Sequence, residues 1–374
     1  MKTTRLFAVP AILALLSASC GTPRLNPEET AVLKFPLVEA SRVTCRGPLV
    51  PAIIPGPGGL LLVQSRTGFL QAVDSEKSMI LWTVPVGSGA LPPVVSGDRI
   101  VAAWSNGRVT GLDAAGREVW SVKFSKPIAD PLGLAGEKII VRDPDGFLAA
   151  LNPADGSTAW KILLPDTAGW TSGGDRIVLR TGDGWLLLFS SEGRPAGEFR
   201  VGGKSGGDFS LVDGRILLGF AGGTIGLFDP AKGSLIWRQR LGGVPVGPPA
   251  FDGRNIYLVL SNHILAAFHL PSGDILYWKP LAGRAAYRPL LAGSIVFAAS
   301  RSPRLQAFEA KSGTAKTAYE AGGDVLAAPE ILGSRIFLAR NGETEQEDIL
   351  LALVSSPAES PAAPAKSEPQ KSIK

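Results

Sequence analysis

The chain has 374 residues, of which 45% are hydrophobic and 19% charged, so it is long enough to bury at least one large core. Its 45 glycines and 30 prolines argue against a mainly helical protein and favour many short strands joined by tight turns. The formal net charge of +5 is spread along the chain without a long basic run. This pattern excludes the concentrated basic stripe that nucleic-acid binding requires.

The first twenty residues have the pattern of an export signal. Lys2 and Arg5 precede an apolar run at residues 6–16, which is too short to span a bilayer as a helix. Small residues then lead to Cys20. We therefore expect residues 1–19 to be a signal peptide that is separate from the folded domain.

The cysteine at the end of this leader is a candidate lipid anchor. The small-small-Cys ending resembles the lipobox of bacterial lipoproteins, and this resemblance implies cleavage before Cys20, lipidation of Cys20 and a lipidated tether at residues 20–30. One position departs from the lipobox, because Ser17 stands where a leucine is usual, and an ordinary signal peptide that ends near a cysteine is the alternative. If Cys20 is lipidated, Cys45 has no intramolecular disulfide partner and is expected to be a small buried residue near the start of the first blade.

A repeat of about 40 residues occupies most of the remaining chain. Its landmark is a tryptophan that recurs at Trp82, Trp120, Trp160, Trp237 and Trp278, with Phe199 and Ala318 in register at the two gaps. Before the tryptophan, an acidic residue and a glycine can form a tight turn, as Asp229 and Gly233 do before Trp237. Each repeat is predicted to contain four antiparallel strands, a to d, and this period without helices indicates propeller blades.

The number of repeats predicts an eight-bladed β-propeller of four-stranded antiparallel blades at residues 31–354. Residues 48–320 hold seven complete repeats, whereas residues 321–354 supply only strands a, b and c. An N-terminal strand, predicted at residues 32–37, completes the last blade and removes two open sheet edges. Residues 355–374 are rich in Pro, Ala, Ser and Lys, and we predict a disordered tail there.

The turn and strand at the end of each repeat resemble the tryptophan-docking repeat of the pyrroloquinoline quinone (PQQ) propeller superfamily. The pattern Ala-x-Asp-x-x-x-Gly-x-x-x-Trp is met in part at Ala72, Asp74 and Trp82, at Ala150, Asn152, Gly156 and Trp160, and at Asp229, Gly233 and Trp237. The resemblance covers residues 31–354 and concerns structural positions.

Two functional classes of this superfamily compete. Quinoprotein dehydrogenases hold PQQ and calcium and use adjacent cysteines under the cofactor, which this chain lacks. The chain is more similar to the lipid-anchored scaffold of the β-barrel assembly machinery. That resemblance implies a monomeric, non-catalytic propeller without a cofactor, anchored to the outer membrane and facing the periplasm, with a β-barrel assembly complex as its protein partner. A generic exported protein-binding propeller is the alternative.

Three groups of residues could suggest other chemistry. Asp143 and Asp145 form a fragment of an acidic calcium loop, but the loop is too short for a full ligand shell, so a hairpin turn is expected. His263 and His269 lie at opposite ends of one predicted strand and cannot share a metal ion. The glycine-rich segment at residues 202–208 lacks the spacing of a phosphate loop and leads into a strand. We therefore expect no catalytic, cofactor or metal site.

The partner-binding surface is expected on the seventh repeat. Its d–a and b–c loops should share one face of the propeller, because neighbouring strands are antiparallel. These loops supply Arg284, Tyr287, Arg288, Arg301 and Arg304, and we call these five residues the blade-seven rim. Tyr and Arg are the residues that most often anchor interfaces, whereas a merely solvated basic edge is the alternative. The side chains of Arg288 and Arg304 are expected to lie in loops without core packing.

Overall fold

The computed structural model describes residues 33–87, 91–104, 106–143, 145–164 and 167–356. These residues form eight antiparallel sheets arranged as the blades of a β-propeller, which confirms the predicted fold. The only helical element among the described residues is a 3₁₀ turn, Pro57–Gly59. No helix in these ranges is long and apolar enough to cross a membrane.

The first strand, β1, spans Leu37–Arg46, and blades one to four follow in order along the chain. Their strands are β2 Leu49–Pro55, β3 Leu60–Ser65, β4 Phe69–Asp74 and β5 Met79–Pro85; β6 Val94–Ser96, β7 Arg99–Ala103, β8 Arg108–Leu112 and β9 Glu118–Lys123; β10 Gly133–Ala135, β11 Lys138–Arg142, β12 Phe147–Leu151 and β13 Thr158–Leu163; and β14 Thr167–Gly173, β15 Arg176–Thr181, β16 Trp185–Ser190 and β17 Pro195–Arg200.

Blades five to eight complete the ring, and strand a of blade seven is divided into two short strands. Their strands are β18 Ser205–Val212, β19 Arg215–Phe220, β20 Thr224–Asp229 and β21 Ser234–Arg240; β22 Ala250–Phe251, β23 Asn255–Leu260, β24 Ile264–His269 and β25 Ile275–Pro280; β26 Arg284–Ala285, β27 Leu290–Ala292, β28 Ile295–Arg301, β29 Arg304–Glu309 and β30 Tyr319–Glu320; and β31 Glu330–Leu332, β32 Arg335–Asn341 and β33 Glu347–Ser355, which pairs with β1.

The core lies between the blades. Successive side chains of a strand point to opposite faces of its sheet, so one strand contributes to two interfaces. In β3, Leu62 packs in the cluster shared with blade two, whereas Val63 packs in the cluster shared with blade eight. Each blade therefore buries both of its faces only when it has a neighbour on each side, which makes closure of the ring important for stability.

The closing strand occupies a different position from the one predicted at residues 32–37. β1 begins at Leu37, opposite Ser355, and pairs with β33 as far as Arg46. Pro36 has no N–H to donate to a ladder, which disfavours a strand through that residue. Cys45 is fully buried near the interface with blade one, as predicted, and burial raises the pKa of its thiol to about 12.

Tryptophans on the outer strands of blades one, two, three and five join each of these blades to the next. Among the described residues, their indole Nε1 atoms donate to backbone oxygens in the following c–d turn: Trp82 to Ala114 at 2.8 Å, Trp120 to Pro153 at 2.7 Å, Trp160 to Ser191 at 2.8 Å and Trp237 to Leu270 at 2.7 Å. In the turn of blade five, Asp229 accepts from the Ala231 N–H at 2.9 Å and Gly233 has a φ of 64°, as predicted. The repeat therefore serves mainly to dock the blades.

Blade six departs from the predicted pattern, because Tyr277 takes the docking position instead of Trp278. The Tyr277 hydroxyl donates to the Ala310 carbonyl in blade seven, whereas Trp278 is 59% exposed. The cause is the register of β25, in which Tyr277 pairs with Ala267 and a bulge follows between that pair and the next. The same bulge lies next to the docking tryptophan in blades one, two, three and five. Tyr277, 40 residues after Trp237, therefore occupies the equivalent position, and Trp278 lies one residue beyond it on the other face of the sheet.

Candidate partner-binding rim

The loops of the blade-seven rim lie at one end of the propeller, as the sequence predicts. Arg284 is in β26, immediately after the d–a connection, and Arg301 ends β28, immediately before the b–c loop. The two arginines are directly opposite each other in the antiparallel pairing of β26 with β28. The two loops therefore meet at the same edge of blade seven.

Arg284 and Arg301 are the rim cations that have no ion-pair partner among the described residues. Both residues are exposed, and neither forms an ion pair within the described part of the chain. Like charges directly opposite each other on adjacent strands repel. This pair of guanidinium groups is thus a concentrated positive charge that nearby described carboxylates do not neutralise by direct contact.

Tyr287 lies beneath the rim in the core between blades seven and eight. Its residue is only 6% exposed, and its hydroxyl donates to the Val325 carbonyl at 2.8 Å. Burial raises the pKa of the Tyr287 hydroxyl, and the neighbouring Arg301 acts in the opposite direction. The ring of Tyr287 therefore supports the loop from below and presents little surface to a partner.

Arg288 and Arg304 both bind glutamates. Arg288 pairs with Glu330 on the first strand of blade eight, where the Arg288 side chain is 33% exposed and that of Glu330 only 12% exposed. Arg304 pairs with Glu320 within blade seven, with 2.6 Å between Nε and Oε1, and both side chains are more than half exposed. The expectation that these side chains carry no packing is therefore wrong for Arg288, which links two blades.

The two aspartates at the b–c turn of blade three form ion pairs with lysines. Asp143 accepts from the Lys161 Nζ at 2.8 Å, and Asp145 lies 3.0 Å from the Lys126 Nζ. A hydrogen bond from the Gly146 N–H to the Asp143 carbonyl closes the turn, as the hairpin prediction requires. Both carboxylates are neutralised by cations of the protein itself, which leaves no acidic cluster for calcium at this turn.

The remaining motifs also have structural roles. His263 accepts a hydrogen bond from the Ala285 N–H at 3.1 Å through Nδ1, while His269 bonds Ser272. Within the described ranges, no group of three or more His, Cys, Asp or Glu residues could hold a metal ion. The glycine-rich segment at residues 202–208 leads into β18, a strand, so it lacks the helix N-terminus of a phosphate loop.

A quinone cofactor does not fit the residues that the chain provides. The superfamily's dehydrogenases place adjacent cysteines beneath the cofactor, whereas the two cysteines of this sequence are Cys20 and Cys45. Cys45 is buried on the outer strand of blade eight, against blade one. The described part of the chain therefore offers no equivalent of that cysteine pair.

Comparison with known families agrees with this architecture. The family described as outer membrane protein assembly factor BamB matches residues 66–194, 182–286 and 221–349. The chain belongs to the BamB family. The three matched ranges overlap, because a family model built from repeats can align with successive sets of blades.

Individual BamB proteins are similar to about half of this chain. BamB of Burkholderia pseudomallei is 28% identical over 189 residues, which cover 46% of this chain and 48% of that protein. BamB of Alkalilimnicola ehrlichii is 27% identical over 198 residues, covering 49% and 51% respectively. The chain thus spans about half the length of the curated relatives that it matches.

Among solved structures, the propeller is similar to BamB from Moraxella catarrhalis. The TM-score is 0.65, the sequence identity is 16%, and the match covers 84% of this chain and 99% of that chain. At this identity the similarity concerns the fold.

Proposed function

We propose that this chain is a non-catalytic scaffold that supports the assembly and insertion of β-barrel proteins into the outer membrane from the periplasmic side. The observation that carries the proposal is the family match across residues 66–349. Proteins similar to about half of this chain are named outer membrane protein assembly factor BamB. A scaffold needs a rigid surface that binds a partner, and such a surface is available on a closed propeller whose rim carries two arginines, Arg284 and Arg301, without an ion-pair partner in the described ranges.

The proposed anchor is a lipid on Cys20, which lies outside the described residues. The chain enters β1 at the end of the ring formed by the c–d turns, because Leu37 pairs with Ser355 at the end of β33 that is remote from the b–c loop. Residues 33–36 pack against the ring, so residues 21–32 connect Cys20 to it and can reach at most about 45 Å when extended. The tether would thus enter the propeller at the end opposite the blade-seven rim.

The proposed contact surface is the blade-seven rim, with Arg284 and Arg301 at its centre. Their charges have no ion-pair partner in the described ranges, so a carboxylate surface of the partner would stabilise both of them. Arg304 would extend the surface, since it is half exposed although paired. Tyr287 and Arg288 would hold the loop in place through blade eight.

The proposed role is tested by deletion of the gene from its native host. Loss of the scaffold should reduce the fraction of outer-membrane β-barrels that are folded, which heat-modifiable mobility on a gel measures. Complementation with the wild-type gene should restore this fraction. An unchanged folded fraction in the deletion strain would favour the alternative, a generic exported protein-binding propeller.

A further inference from the structure

The largest fully buried side chain of the propeller is a cation, Arg180. It lies near the end of β15 in blade four and has no exposed surface. Its Nη1 donates to the Gly219 carbonyl of blade five at 2.7 Å, and its guanidinium carbon lies 5.0 Å from the centre of the Phe220 ring. Arg180 thus spans the interface between blades four and five.

The opposite edge of this guanidinium has no partner. Nε and Nη2 are both buried, and neither donates to an acceptor within the described ranges. These two nitrogens present parallel N–H groups, which is the arrangement that binds an anion or a carboxylate at two points. The edge therefore has the geometry of an anion-binding fork.

The charge of Arg180 persists although burial lowers its pKa, because the ordinary pKa of arginine is far above neutral pH. Val178, Leu218 and Phe220 belong to the apolar cluster between the two blades. An unpaired charge in such surroundings is costly, and the same low polarity strengthens the attraction for an anion.

Nearby described carboxylates are engaged elsewhere. Asp183, in the loop after β15, accepts from the Thr181 hydroxyl at 2.5 Å, and Asp208 accepts from the Gly247 N–H at 2.8 Å. Arg180 forms no ion pair with any described acid. Asp166, which directly precedes β14, lies outside the described residues.

The glycine-rich segment at residues 202–208 acquires a structural explanation at this interface. A Cβ on Gly219 would lie 2.1 Å from the Gly206 carbonyl oxygen, and a Cβ on Gly206 would lie 2.4 Å from the Ala221 nitrogen. Only glycine permits this close backbone contact. The segment thus packs directly on Gly219, the residue whose carbonyl binds Arg180.

We propose that a small monovalent anion, with chloride as the simplest case, binds the Nε and Nη2 edge of Arg180 between blades four and five. The anion neutralises the buried charge and joins with the Gly219 bond in holding the two blades together. This site is independent of the blade-seven rim and of the proposed scaffold role.

The test uses the full chain at constant ionic strength, with bromide replacing a bulky organic sulfonate. Bromide should raise the Tm in a saturable manner by about 2 °C or more, because it binds the folded state alone. Arg180→Met should abolish this rise. Arg238→Met is the matched control, since Arg238 is exposed and its guanidinium lies 4.5 Å from the centre of the same Phe220 ring. The rise in Tm that bromide causes in this variant should equal the rise in the wild type.

A second measurement decides the matter if Arg180→Met fails to fold. Crystals of the wild type soaked in bromide should show an anomalous peak beside Nε and Nη2 of Arg180. Water alone at that edge, or a Tm that does not depend on bromide, would overturn the proposal. It is also overturned if bromide stabilises Asp166→Asn but not the wild type, because the Asp166 carboxylate would then be the group that fills the edge.

Discussion

The Tyr277 hydroxyl donates a hydrogen bond of 3.1 Å to the Ala310 carbonyl, and this bond docks blade six on blade seven. The neighbouring Trp278 projects from the outer strand and is 59% exposed. Two large aromatic residues that are adjacent in the sequence thus have very different environments. Tyr277 is expected to stabilise the ring, whereas Trp278 is expected to contribute little to its stability.

Tyr277→Ala should lower the free energy of unfolding by about 2 kcal/mol or more, because it removes packing against Gly313 as well as the hydrogen bond. Trp278→Ala is the adjacent control and should change the free energy by no more than about 0.5 kcal/mol. Urea denaturation of the two variants measures both values. A larger loss for Trp278→Ala would contradict the docking assignment.

Much of the fold could be predicted because the repeat is a local pattern. Turn residues such as Asp229 and Gly233 determine their own backbone geometry, so they recur with each blade. The error at Trp278 arose because residue type and spacing disagree there: Tyr277 lies 40 residues after Trp237 and next to the bulge, whereas Trp278 follows it on the other face of the sheet. The docking position within the repeat was therefore predictable from the period, whereas the type of residue that occupies it was not.

The rim was predictable only in part. The order of the loops correctly brought Arg284 and Arg301 to one edge. The bond from Arg288 to Glu330 joins residues 42 positions apart in different blades, so no local pattern indicates it. The only indication of this ion pair in the sequence was that Glu330 follows Arg288 by about one repeat. The burial of Arg180 could not be predicted from the sequence, because a single arginine in an apolar strand does not reveal whether its side chain is buried.

Removal of β1 should be far more damaging than removal of the C-terminal residues beyond the ring. Deletion of residues 37–46 leaves the edge of β33 unpaired and removes Val43 and Cys45 from the interface with blade one. The Tm should fall strongly or the protein should aggregate. Deletion of residues 357–374 should leave the Tm nearly unchanged, and equal Tm values for the two deletions would refute closure by β1.

The two ion pairs of the rim should differ in their contribution to stability. Glu330→Gln leaves the Arg288 charge partly buried without its partner and should cost about 1–3 kcal/mol. Glu320→Gln makes the same chemical change at the exposed Arg304 pair and should cost no more than about 1 kcal/mol. Thermal or urea unfolding compares them, and the assignment of Arg288 as a link between blades fails if the Glu330 variant is the more stable of the two.

Lipidation of Cys20 should be detectable by metabolic labelling with a fatty acid. The wild type should take up the label and sediment with the outer membrane, whereas Cys20→Ser should be unlabelled and released into the soluble fraction. Cys45→Ala is the control, because the Cys45 thiol is buried in the propeller and its loss should leave the label in place. Absence of label from the wild type, with Cys20→Ser still in membranes, would contradict the anchor.

Crosslinking capture from native membranes tests most directly whether the basic rim binds a component of the β-barrel assembly machinery, as proposed. Replacement of both Arg284 and Arg301 by glutamate should reduce capture of that component about tenfold or more, with little change in Tm, because both side chains are exposed. Lys232→Glu with Lys311→Glu makes the same change of charge on exposed c–d turns at the other end of the ring and should leave capture unchanged. Equal capture by the two double variants, or capture by the wild type of no assembly component, would contradict the account.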